Sequence, residues 1–319
     1  MSEPLPIEKP RIGVSACLLG ERVRYDGEHK RDAFICDTLD AVFELLPVCP
    51  EVAVGMGVPR PPVRLTGDPA RPRAVGIDDP DLDVTAVLTA YGRRMALELD
   101  DIDGYIFKAR SPSCGTVRVK VFAEGRTRGQ GTGLYAWEIM ARQPLLPVAE
   151  EEQLGDAAAR DNFIERVFAR RRWRQLLASD FTPDKLVVFH GRHKLSLMAH
   201  GAVHYRALGR LAAQAGTQRP RQLCEQYGAG FMAALKHPAT PKRHANVLQH
   251  LMGYLKKRLD HDDKAELLEM IDAYRLGQLP LIVPQTLLRH HFRHFPHPYV
   301  EQQLYLYPEP DEMRLRYNA

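Results

Sequence analysis

The sequence predicts an α/β N-terminal domain, a mainly parallel sheet with helices, followed by an all-α helical domain. Two patterns carry this. Strand-like and helix-like segments alternate through the first half, as a helix-covered parallel sheet requires. From about residue 156 the apolar residues recur at helical spacing instead. A third observation separates the halves chemically. Residues 1–150 hold 19 Lys and Arg against 22 Asp and Glu, whereas residues 151–319 hold 25 against 18. Of the 13 histidines only His29 lies in the first part.

"RIGVSACLLG" begins with a short apolar run and stops at a glycine; "AVFELLPVCPEVAVG" contains a second run that ends at Cys49-Pro50. "DVTAVLTAYGRRMALELDD" places Val84, Val87, Leu88, Tyr91 and Met95 three and four apart, which predicts a helix. "IDGYIFKAR" is a third strand and "VRVKVFAE" alternates as a fourth. Two prolines and an acidic run in "RQPLLPVAEEEQLGDAA" break the pattern. The expected domains are therefore 1–155 and 156–319. "DAAARDNFIERVFARRRWRQLLAS" then opens the helices. Thr182-Pro183 is a start signal, a capping hydroxyl before a proline at the first helical position. The helix it opens is expected to run through His190, His193, His200 and His204 to about Ala213. Further helices fit Pro220–Lys236, Pro241–Leu259 and Asp262–Leu276, and the tail from Pro280 reads as a wrapping segment.

A chain of 319 residues exceeds one typical core. Its 45% hydrophobic and 26% charged content is ordinary for globular proteins. No apolar run is long enough to span a bilayer, and Met1–Arg11 has no signal-peptide core, so a soluble, cytoplasmic protein without membrane contact is expected. No segment calls for an obligatory protein partner.

The five cysteines are scattered, which argues against a disulfide framework. Cys36 and Cys224 lie in helix-like segments and read as packing residues. Cys17, Cys49 and Cys114 each follow a predicted strand. In a parallel sheet the carboxyl ends of strands share one edge, where ligands bind, so these three can converge although 32 and 65 residues separate them. Structural zinc usually takes four ligands with close CxxC pairs, which are absent. A catalytic cysteine wants a histidine, and only His29 is available. Three thiolates suit an iron–sulfur cluster with one iron lacking a protein ligand; three unrelated buried cysteines fit the spacing equally well. Glu51, two residues after Cys49, and Ser111 and Ser113, before Cys114, are groups able to move a proton beside an open metal. Alone they also read as a capping carboxylate and a turn stabilised by local hydrogen bonds. Lys108 either balances charge there or is solvated.

Together "VSACLLGERVRYDG", "VCPEVAVGMGVPRPPVRL" and "ARSPSCG" resemble the three signature blocks of the thiouracil desulfidase family, in order across residues 10–150. The segment from Thr182 onward resembles a helical domain, of no assigned function, fused behind it in bacterial proteins. The pair resembles the bacterial tRNA 4-thiouridine desulfidases. The resemblance implies a 4Fe-4S cluster on Cys17, Cys49 and Cys114, a fourth iron open to a thiocarbonyl sulfur, and non-redox replacement of that sulfur by oxygen from water. It places the acid/base carboxylate at Glu51 and the assisting serine at Ser111 rather than Ser113. Soft sulfur prefers soft iron, and its coordination makes the ring carbon electrophilic. Arg60 and Arg64 in "PRPPVR" are candidate phosphate or uracil contacts, or solvated loop residues.

A free base needs no basic second domain, whereas a tRNA does. Arg170, Arg171, Arg172 and Arg174 share one helix with Trp173; Arg192 and Lys194 lie in "HGRHK"; Arg289 and Arg293 are interleaved with aromatics in "RHHFRHFPH". All are candidate RNA contacts. The histidine stripe of the Thr182 helix shares its face with leucines, so packing or RNA contact is expected there rather than zinc. Two other readings stay open: a desulfidase of free thiouracil or thiouridine nucleotides, and a non-catalytic RNA-binding module with zinc on the cysteines.

Overall fold

The computed structural model describes residues 9–217 and 219–317. The chain divides into two units, Met1–Phe163 and Ile164–Ala319. The division falls within the helix Ala157–Ala178.

The first unit runs β1 (Arg11–Ser15), β2 (Glu44–Val48), α1 (Pro50–Ala53), β3 (Val63–Asp68), β4 (Arg71–Gly76), α2 (Thr85–Glu98), β5 (Gly104–Phe107), β6 (Val119–Ala123), β7 (Arg126–Gly131), α3 (Leu134–Arg142) and β8 (Val148–Glu150). One sheet has the order β2-β1-β5-β8 and every pairing in it is parallel. A strand covered on both faces reads as a continuous apolar run rather than an alternation, and all four residues of β5 are buried. Tyr105 and Phe107 of β5 pack with Ala96 of α2 and Tyr135 and Ile139 of α3. Each such ring contributes roughly 1.5–3 kcal/mol by leaving water.

The strand read in "VRVKVFAE" forms, but not in this sheet. It is β6, in a second sheet of order β4-β3-β6-β7 whose β3–β4 and β6–β7 pairs are antiparallel. The fourth strand of the parallel sheet is β8, three residues long, inside the segment expected to be a linker. The second sheet escaped the sequence reading because its strands, "VRLTGD", "RPRAVG" and "RTRGQG", are rich in Arg, Gly and Pro. Such strands carry little period-2 signal.

The second unit is helical, as expected: the remainder of α4 (Ala157–Ala178), then α5 (Pro183–His200), α6 (Ala202–Ala213), α7 (Pro220–Leu235), α8 (Pro241–Leu255), α9 (His261–Arg275), α10 (Ile282–His294), α11 (Pro298–Glu301) and α12 (Pro310–Tyr317). The Thr182 hydroxyl accepts from the Lys185 amide at 3.3 Å, so the cap works as predicted. The expected single helix to Ala213 is two. It breaks at Gly201, whose φ of 153° lies where a side chain is strained. The tail is more than a wrapping strand: Leu288 and Phe292 of α10, with Val300 and Leu306, join Leu248, Leu251, Leu267 and Ile271 of α8 and α9 in one core. No helix among the described residues is long and apolar enough to cross a membrane.

Candidate active site

Three strands of the parallel sheet deliver one cysteine each to its carboxyl edge. Cys17 lies in the 3-10 turn Ala16–Leu19 directly after β1, and Cys49 caps α1 directly after β2. Cys114 stands in the loop between β5 and β6. All three line one cavity of about 410 Å³ in the first unit, together with Glu51, Arg60, Lys108 and Ser111. All are free thiols; Cys17 and Cys114 are buried and Cys49 half-buried.

The loop bearing Cys114 is shaped by its own sequence. The Ser111 hydroxyl oxygen accepts from the amides of Ser113 (3.2 Å) and Cys114 (3.1 Å), a local turn that serine favours. The first turn of α3 caps itself on this loop: Leu134 donates to the Pro112 carbonyl at 3.1 Å and Ala136 to the Ser113 carbonyl at 3.1 Å. Helix starts need such partners for their free amides. The approach is close enough that a Cβ on Gly133 would stand 2.5 Å from the Ser113 carbonyl carbon and 2.8 Å from the Cys114 amide nitrogen.

The acidic run at the end of β8 is part of the site. Buried Glu150 accepts from the amides of Thr116 (2.7 Å) and Val117 (3.2 Å), just beyond Cys114. Glu151 accepts from the Ala109 amide at 2.7 Å and pairs with Lys108. Lys108 is therefore paired rather than solvated, and its charge also favours the Cys17 thiolate. The sequence reading missed both glutamates because "AEEE" resembles a solvated linker.

Glu51 is held at both oxygens. Ser113 donates its hydroxyl to Oε1 at 2.8 Å. Arg60 donates Nε to Oε2 at 2.8 Å and brings its NH2 nitrogen within 2.7 Å. The arginine's remaining donors go to the Gly57 and Val23 carbonyls, each at 2.9 Å. Arg60 is thus held by Glu51 and the backbone, and it also lines the cavity. Arg64 lies outside the cavity lining, its guanidinium over the Phe122 ring at 5.4 Å. Ser113 is wholly buried on Glu51, and it is Ser111 that faces the cavity.

Burial pushes the Cys17 thiol up to about 11, opposed by Lys108 and reinforced by Cys49. Burial also raises Cys49, and it raises Cys114 well above its ordinary value, where Glu51, Cys49 and Cys17 add to the effect. The three sulfurs line one cavity, so as thiolates they would repel one another. A positive group that takes all three as thiolates would relieve that repulsion. Among the described residues no three His, Cys, Asp or Glu side chains close on a single metal ion. Three cysteines spaced round a cavity suit a multi-iron cluster, with one iron left without a protein ligand.

In the second unit three histidines of the stripe are buried and hydrogen-bonded. His190 Nδ1 meets the Tyr227 hydroxyl at 3.0 Å, His193 Nδ1 the Phe189 carbonyl at 2.8 Å, and His200 Nε2 the Glu165 carboxylate at 3.0 Å. The Arg171 and Arg172 readings are corrected, since both side chains are buried. Arg172 is spent on Glu312 at 2.7 Å and Glu309 at 3.3 Å. Arg174 is half-buried, Arg289 donates to Thr286 at 2.9 Å, and Arg192 and Arg293 are exposed. Lys194 is half-buried beside His190.

The carboxyl edge of the parallel sheet thus gathers three thiols and a clamped carboxylate round one cavity. The family described as 2-thiouracil desulfurase matches residues 12–151. A family described as a protein of unknown function, DUF1722, matches residues 194–310. The uncharacterized protein YbgA of Escherichia coli (strain K12) is 31% identical over 160 residues, which are 50% of this chain and 95% of YbgA. A solved chain described as the [4Fe-4S]-dependent thiouracil desulfidase TudS is 35% identical, with 46% of this chain and 94% of that one covered and a TM-score of 0.36. The chain belongs to the family of YbgA, and its residues 12–151 form a 2-thiouracil desulfurase domain.

Proposed function

We propose that the protein removes sulfur from 4-thiouridine in tRNA, replacing the thiocarbonyl sulfur with oxygen from water and releasing hydrogen sulfide. The observation that carries this is the shared cavity of Cys17, Cys49, Cys114 and Glu51. When bound to the three cysteines, a 4Fe-4S cluster supplies a soft Lewis acid that draws electron density from a thiocarbonyl. The protein's own groups do the rest. Oε1 of Glu51 keeps a lone pair beyond its bond to Ser113, whereas Oε2 is taken up by Arg60. The carboxylate takes one proton from the attacking water and gives it to the sulfur, then carries the remaining hydroxyl proton to the sulfur as the C–S bond breaks, which leaves a carbonyl and hydrogen sulfide. The two clamps fix its orientation through both transfers. Ser111 has its oxygen occupied by two backbone amides, which leaves its hydrogen to donate to the base. The cavity has room for a single base, and the other half of the chain, with its net positive charge, supports a polyanionic substrate.

Anaerobically prepared protein incubated with thiolated tRNA should erase the 4-thiouridine absorbance. Retention of that absorbance by protein with an intact cluster overturns the tRNA reading. Turnover of free thiouracil or thiouridine nucleotide in the same preparation would then identify the smaller substrate.

A further inference from the structure

A second cleft, of about 430 Å³, lies in the helical unit where α8 ends and the segment after α10 passes. Lys256, Lys257 and Arg258 line one side of it, with Tyr254, His294 and His297 beside them. No carboxylate lines it. The three cations are exposed, and their charged groups make no hydrogen bond or ion pair with any described residue. That sets them apart from Arg172 and Arg243, which are spent on Glu312 and the His200 carbonyl. Cations at a helix C-terminus also answer the helix dipole. Lys256 at the cap satisfies that demand, and the dipole gives no reason for a wall of rings. Tyr254 lies 4.6 Å from His297, 5.7 Å from Tyr299 and 5.5 Å from His250, centroid to centroid. His250 is exposed and Tyr254 half-buried, so ring surface remains open.

We infer that this cleft holds one nucleotide unit of single-stranded RNA. Its phosphate would sit on Lys256, Lys257 and Arg258, and its base on the Tyr254–His297 rings. Unpaired cations beside ring faces, with no acid between them, match a phosphate followed by an exposed base. An acidic peptide would use the cations and leave the rings idle. The inference rests on the tRNA reading proposed above and adds a contact remote in sequence from the cysteine cavity.

The test uses the full chain. Lys256→Ala/Lys257→Ala/Arg258→Ala removes the charges, and Tyr254→Leu removes the platform. Circular dichroism checks that helix content is kept, which is expected for exposed charges. Binding of thiolated tRNA is followed by fluorescence anisotropy across salt concentrations. The triple variant should weaken binding at least about tenfold and reduce the log–log salt slope by roughly 0.7, the value for one phosphate on a single strand. Tyr254→Leu should weaken binding about tenfold with the slope unchanged, as loss of one stacked base predicts. Turnover of free 4-thiouridine should stay at the wild-type rate in both. A triple variant with wild-type affinity and slope overturns the cleft while leaving the tRNA reading intact. Failure of wild-type protein to bind tRNA at all removes that reading and this inference with it. Displacement of tRNA by a poly-glutamate peptide, but not by a short single-stranded oligonucleotide, overturns the nucleotide assignment in favour of an acidic protein partner.

Discussion

Ser111 and Ser113 stand two residues apart and do different work. Ser113 is a buried strut on Glu51 Oε1, and Ser111 presents its hydroxyl to the cavity. Ser111→Ala should therefore lower turnover sharply while costing only about 1 kcal/mol of stability, through loss of its turn bonds to the Ser113 and Cys114 amides. Ser113→Ala should cost about 1–3 kcal/mol of stability, because it strips a buried partner from a carboxylate. Chemical denaturation and steady-state rates separate the two outcomes, and a reversed pattern would overturn the assignment. Glu51→Gln should keep the visible absorption of the cluster and reduce turnover by roughly 10²–10⁴, the usual range for a lost general acid/base. Undiminished turnover in that variant would remove Glu51 from the chemistry.

At the scale of elements, the Cys114 loop and the start of α3 form one piece. Gly133→Ala should push the Ser113–Cys114 backbone aside and destabilise the first unit by about 1–3 kcal/mol, as overpacking does. It should also lower the iron bound per chain, measured by metal analysis; a variant that folds and loads like wild type would show that the loop can give way. The three cysteine positions were legible in the sequence because each follows an apolar run that reads as a strand of a parallel sheet. The residues that hold them were less so. Glu150 and Glu151 act through backbone amides far away in the chain, and nothing in "AEEE" announces such a partner. Arg60 resembles a free cation in a proline-rich loop until the fold brings it to Glu51. The same holds for Arg172, whose carboxylate partners Glu309 and Glu312 lie about 140 positions further on. Local pattern finds elements; long-range pairing of charges is a product of the tertiary fold.

The molecule as a whole places its buried histidines in the helical unit, and their burial shapes how stability varies with pH. Burial lowers His190 and His244 to about 4 and takes His193 well below its ordinary value. In the unfolded chain these groups protonate near pH 6.5. As pH falls below that value, the unfolded chain takes up protons that the fold refuses, and stability declines by about 1.4 kcal/mol per pH unit for each histidine. His200 has the opposite sign. Against the burial that would lower it, Glu165 raises it, so its contribution is present at low pH and is lost as pH rises through its folded value. Three groups outweigh one, and the helical signal should melt at progressively lower temperature between pH 6.5 and 4.5. A constant midpoint over that range would contradict the burial of these side chains. The three cysteines carry a different consequence, one for the order of events in the newly made chain. They are separated by 32 and 65 residues, and they become neighbours only when β1, β2 and β5 have paired. A nascent chain that has exposed Cys17 and Cys49 still has no chelating site, unlike a chain with a local CxxC pair. Delivery of the metal must therefore wait for assembly of the sheet, and whatever binds there stabilises the finished fold without guiding its formation.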